Sequence, residues 1–199
     1  MFDIRVGIAG FALSLFVNGA AAAIAFEDVS ILSGVSGSAT ESWGAAWGDL
    51  NGDGYPDIFS TNHRNRATLF RNNADGTFSE VSREVDLSGT PGWTAGRSNV
   101  DQHGAVWGDL DNDGDQDLYL SVSSSDDQVF FNHNGLLTDN SVAMGMPGMN
   151  NSGARMSVLF DYTGDGLLDQ MAASLSRPAL YAQLSSGGFV SSRYRVGLD

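Results

Sequence analysis

Apolar residues along this chain come in short bursts rather than long stripes. DIFSTN (57–62), ATLFRNN (67–73) and DGTFSEVS (75–82) are followed by DLYLSV (117–122), DQVFFNHN (127–134) and NGLLTDNS (134–141). DQMAAS (169–174), PALYAQLS (178–185) and GGFVSSRY (187–194) form a third such series. The bursts are rich in β-branched and aromatic residues, alternate partly with period two, and are separated by Asn-Gly, Asp-Gly or Gly-Gly turns, so each predicts a strand. No sustained helical period occurs.

The bursts repeat in register. GAAWGDL (44–50) matches GAVWGDL (104–110), and ARMSVLFDY (154–162) is a weaker third copy, with Phe78, Leu137 and Phe189 at equivalent places. Four short strands in each unit of about 50 to 60 residues is the pattern of a β-propeller blade. The expectation is an all-β chain of three blades of four antiparallel strands, with units at about 26–88, 89–147 and 148–199. FEDVSILSG (26–34) resembles FSEVSREVDLSG (78–89) and reads as a lone final strand at the start of the mature chain, suited to closing a ring from the other terminus.

Residues 1–25 stand apart. Arg5, the apolar run from Gly7 to Val17 and the small-residue ending GAAAAIA form a secretory signal pattern, with cleavage expected between Ala25 and Phe26. The run is too short to span a bilayer, which takes about 20 residues. The mature chain is thus expected outside the cytoplasm, secreted or at the cell surface, and not membrane-spanning.

The formal charge of −14 argues against nucleic acid or anionic membranes as partners and suits cation binding or simple solubility. There is no cysteine, so disulfides, thiolate metal sites and a cysteine nucleophile are excluded.

The repeat places an acidic loop once in each unit: DLNGDGYPD (49–57), DLDNDGDQD (109–117) and DYTGDGLLD (161–169). Oxygen-bearing side chains stand at loop positions 1, 3, 5 and 9, with Gly at position 6. A hard cation such as Ca²⁺ takes about six to eight oxygen ligands. Side chains at 1, 3 and 5 can turn inward together, the glycine permits the bend, the carbonyl of position 7 adds an oxygen, and position 9 closes the shell. The candidate ligands in the first loop are Asp49, Asn51, Asp53, Asp57 and the carbonyl of Tyr55. In the second they are Asp109, Asp111, Asp113, Asp117 and the carbonyl of Asp115. In the third they are Asp161, Thr163, Asp165, Asp169 and the carbonyl of Leu167, with neutral Thr163 making this the weakest site. Up to three Ca²⁺ ions are expected. An EF-hand is excluded, because position 12 is Ser60, Leu120 or Ala172 rather than Glu and the flanks read as strands. Asp, Asn and Gly also make plain turns, but three loops in register favour metal.

GAAWGDLNGDGYPDIFSTN and ATLFRNNADGTFSEVS resemble the FG-GAP/VCBS repeats of integrin-α-type propellers, in particular the bacterial and cartilage-acidic-protein-like branch. The resemblance covers roughly residues 26–199 and is strongest in the first two units. The name-giving Phe-Gly and Gly-Ala-Pro elements are not intact, and the third unit lacks the Trp-Gly pair of Trp47-Gly48 and Trp107-Gly108. The resemblance implies a propeller, usually of seven blades, with calcium between strands and a protein or glycan ligand. Three units supply fewer than half the blades of such a ring. The expectation is therefore a segment of a larger propeller, the alternative being a short chain that closes a ring by oligomerising.

His63 lies in NHRNRA with Arg64 and Arg66, His103 reads as just preceding a strand, and His133 as lying in a turn, with nothing to pair them. No G-x-S-x-G, H-E-x-x-H or P-loop occurs. A non-enzymatic binding or adhesion module is the favoured reading, and an accessory or catalytic part of a polysaccharide-degrading enzyme is the alternative. Trp47 and Trp107 are expected in the core, whereas Trp43, Trp93 and the loop SGTPGWTAGRSN (88–99) are candidates for a ligand surface.

Overall fold

The computed structural model describes residues 25–36, 42–63, 65–85, 101–123, 126–146, 154–174 and 178–192. Residues 1–24, and with them most of the expected signal, Arg64, Trp93 and the 88–99 loop lie outside the described residues. Within them every regular element is a strand, and the strands form three four-stranded antiparallel sheets in simple chain order. The first sheet holds β1 (Gly44–Gly48), β2 (Asp57–Thr61), β3 (Thr68–Asn72) and β4 (Phe78–Glu80). The second holds β5 (Gln102–Gly108), β6 (Asp117–Val122), β7 (Gln128–His133) and β8 (Leu136–Asp139). The third holds β9 (Ala154–Phe160), β10 (Asp169–Ser174), β11 (Ala179–Gln183) and β12 (Phe189–Ser191). These are the blades the repeat predicts, with Phe78, Leu137 and Phe189 each on the outermost strand.

The blades stack through their faces. One core joins the first and second sheets through Phe59, Leu69, Leu118, Leu120 and Phe130, all fully buried. A second joins the second and third sheets around Tyr119, Val129, Met146 and Ala172. The first strands β1, β5 and β9 lie side by side, which brings the chain's close approaches together. A β-carbon on Gly104 would meet the carbonyl of Arg155 at 2.8 Å, so only glycine lets β5 and β9 come this near.

Two expectations are corrected. Trp107 is buried at 9% exposure, but Trp47, its counterpart in the first sheet, is 62% exposed. Trp107 packs over Gly48 of the preceding blade, and among the described residues no blade precedes the first to receive Trp47. Residues 26–34 likewise form no strand. They end in a turn in which the carbonyl of Ser33 accepts the Phe78 amide of β4 (2.8 Å). The turn after β8 does the same for the third blade, where Met144 O accepts from Phe189 N (3.2 Å). The opening segment therefore takes the place of a preceding blade's final turn, and Phe26, at 98% exposure, pairs with no sheet among the described residues.

Candidate metal centres in the strand-connecting loops

Each acidic loop connects the first strand of a blade to the second, and all three fold alike. The position-1 carboxylate accepts two backbone N–H groups from positions 5 and 6. Asp49 accepts from Asp53 (3.1 Å) and Gly54 (2.8 Å), Asp109 from Asp113 (3.1 Å) and Gly114 (3.0 Å), and Asp161 from Asp165 (3.2 Å) and Gly166 (2.9 Å). The position-5 carboxylate then accepts the N–H of position 7: Tyr55 to Asp53 (2.8 Å), Asp115 to Asp113 (2.9 Å) and Leu167 to Asp165 (3.0 Å). Gly54, Gly114 and Gly166 adopt φ of 84°, 100° and 85°, the left-handed turn that needs glycine. Position 4 is left-handed too, in Gly52, Asn112 and Gly164. Sequence reasoning passed over this position, although Gly, Asn and Gly are the residue types that tolerate it.

The position-9 carboxylates do different work. Asp57, Asp117 and Asp169 are fully buried. One oxygen of each accepts from the loop, at Leu50 (2.8 Å), Leu110 (2.7 Å) and Tyr162 (3.0 Å). The other accepts from the third strand, at Asn72 (2.7 Å), Asn132 (2.8 Å) and Gln183 (2.8 Å). Each thus ties the loop to two strands. Burial raises the pKa of Asp57 and pushes Asp117 up to about 6, against the pull of the amides that donate to them.

Blades are also joined strand to loop. Asn132 Nδ2 donates to Leu50 O of the preceding loop (2.8 Å), and Gln183 Nε2 donates to Leu110 O (2.6 Å). The equivalent Asn72 turns to Pro56 O of its own blade (3.0 Å).

The donor set suits a hard cation, since every side-chain donor is oxygen. In the second loop, carboxylate oxygens of Asp109, Asp111 and Asp117 lie within 4.8 Å of one another, a spread that one ion could bridge. Asn51 in the first loop instead donates to Asp53 (2.9 Å), and Thr163 in the third donates to Asp161 (3.3 Å). His133, which sequence reasoning placed in a turn, ends β7 and stands 3.1 Å from Asp113.

The other histidines hold a second surprise. His103 lies within β5, not before it, and meets His63 through one oxygen of Asp101. Arg66 points elsewhere, donating to Ser82 O (2.8 Å). Trp43 is 55% exposed and stacks on His63 with ring centroids 4.5 Å apart.

No curated protein matches the chain. Residues 49–120 match the family model of the FG-GAP-like repeat. That span runs from the first ligand position of the first loop to the middle of β6. The stretch that holds the first two loops is therefore similar to the FG-GAP-like repeat.

Proposed function

We propose that this chain is an exported calcium-binding β-propeller segment that serves as a protein- or glycan-binding module. The observation that carries the reading is the shared loop geometry. In three places the same backbone N–H groups hold two carboxylates of one loop, beside a third that is buried. Such clustering of like charge is costly unless a cation offsets it. Calcium would be structural, bridging the loop to the strand that Asp57, Asp117 or Asp169 begins, so binding would stabilise the fold. Three ions would move the charge from −14 to about −8.

The three blades are proposed to belong to a larger ring, and exposed Trp43 offers an aromatic surface to a ligand. The test is calorimetric titration of the full chain with Ca²⁺, followed by melting with calcium and with EDTA. The expected result is two to three sites of unequal affinity and a lower melting temperature in EDTA. Identical melting curves would overturn the structural role. A glycan array with a reducing-sugar assay addresses the ligand: retention without product release is expected, and release of product would overturn the non-enzymatic reading.

A further inference from the structure

We propose that His63, Asp101 and His103 form a transition-metal site, separate from the acidic loops and selective for Zn²⁺-like ions. Three side chains from two distant segments converge on one point. His63 Nδ1 lies 2.6 Å and His103 Nε2 3.0 Å from the same oxygen, Oδ1 of Asp101. All three donor atoms fall within 4.8 Å of one another. Neighbouring ligands on one tetrahedral ion with bonds of about 2 Å stand roughly 3.3 Å apart, so small side-chain rotations would open the 2.6 and 3.0 Å separations to admit the ion.

The donors are held before any ion arrives. His63 follows β2 and adopts φ of 53°, uncommon for a residue other than glycine. Its backbone bridges to Gln102, whose N–H donates to His63 O (3.3 Å), so the loop is clamped to the residue between the other two ligands. The Ser123 amide donates to Asp101 O (2.8 Å), and Thr61 Oγ1 donates to His103 O (3.0 Å). A register shift interrupts the β5–β6 pairing between Gln102 and Gly104, the kind of bulge that re-aims a side chain. Trp43 lies flat on the His63 ring and edge-on to His103, which fixes both imidazole planes.

The chemistry separates this site from the loops. Two imidazoles and one carboxylate suit Zn²⁺, Ni²⁺ or Cu²⁺, whereas Ca²⁺ prefers oxygen alone. His103 is 4% exposed, so its ring is held within the protein rather than in solvent. Arg155 is the opposing group. Its Nη1 lies within 2.9 Å of both ring nitrogens of His103, a cation resting against the imidazole where a metal would compete with it. An entering dication must displace this guanidinium, and the long side chain of Arg155 allows it to move.

The experiment is a calorimetric titration of the full chain with Zn²⁺ in saturating Ca²⁺, with Co²⁺ absorption as a second readout. One Zn²⁺ per chain is expected, with visible Co²⁺ bands of nitrogen and oxygen ligation. His63→Ala, in a partly exposed position, should weaken Zn²⁺ at least tenfold without altering Ca²⁺ stoichiometry. Arg155→Ala should tighten Zn²⁺ by about tenfold. His133→Ala should leave it unchanged, because His133 lies beside the second acidic loop. Zinc lost in His133→Ala but kept in His63→Ala would place the ion at that loop and overturn the proposal. No zinc uptake by either the unaltered chain or Arg155→Ala would overturn it too.

Discussion

The indole of Trp107 fills the space that a side chain on Gly48 would need. Each residue belongs to its own blade's first strand, so the contact is a knob from the second blade in a hole of the first. The third blade repeats it with a smaller knob: a β-carbon on Gly108 would meet Leu159 at 3.0 Å and Leu168 at 2.8 Å. Gly48→Ala should therefore destabilise the chain by about 1–3 kcal/mol through overpacking. A melting curve checks this, and Trp107 fluorescence should shift to the red. No change would mean that the first two blades separate at little cost.

The same contact predicts unequal roles for two equivalent tryptophans. Trp107→Ala should cost about 3–5 kcal/mol, the usual range for emptying a large buried aromatic site. Trp47→Ala should cost under about 1 kcal/mol, since its ring is mostly in solvent and meets Phe78 at 6.1 Å between centroids. Denaturant melts of both variants test the contrast, and equal losses would show that Trp47 is covered in solution.

What the sequence reveals about this fold is what repeats locally. Strand pattern, turn residues and loop spacing recur in each unit, so the sheets and the loops 49–57, 109–117 and 161–169 were legible. The exposure of Trp47 was not, because it depends on a neighbouring blade rather than on its own flanks. The segment 26–34 resembles a strand in sequence, but a strand needs a paired neighbour that these described residues lack. The meeting of His63 with Asp101 and His103 was hidden for another reason. It crosses from one blade to the next and leaves no fixed spacing to read.

Loop positions that look alike in sequence should respond differently to mutation. Asp117 accepts one backbone N–H on each oxygen, so Asp117→Asn turns an amide group toward a donor and leaves it unsatisfied. It should cost about 1–3 kcal/mol even in EDTA. Asp113→Ala, at an exposed position, should weaken one Ca²⁺ site and lower the melting temperature chiefly when calcium is present. Melts of both variants with and without calcium separate the roles. Equal effects in EDTA would show that position 9 adds no structural tie.

The pH response of Asp117 gives the most direct view of the second loop. Burial pushes its pKa up to about 6 in the folded chain without metal, from an ordinary value of 3.8. The folded state therefore holds this proton more tightly than the unfolded state does. The resulting stabilisation is fully present below about pH 4 and is lost as pH rises through about 6. Calcium reverses the preference, because a bound cation favours the carboxylate. A ¹³C titration of the Asp117 carboxyl should show a midpoint near pH 6 in EDTA and a clearly lower one in saturating Ca²⁺. Calcium affinity should fall as pH drops below 6, where protons compete for the same oxygens. An Asp117 midpoint that calcium does not move would mean that this carboxylate serves the strands alone and takes no part in binding the ion.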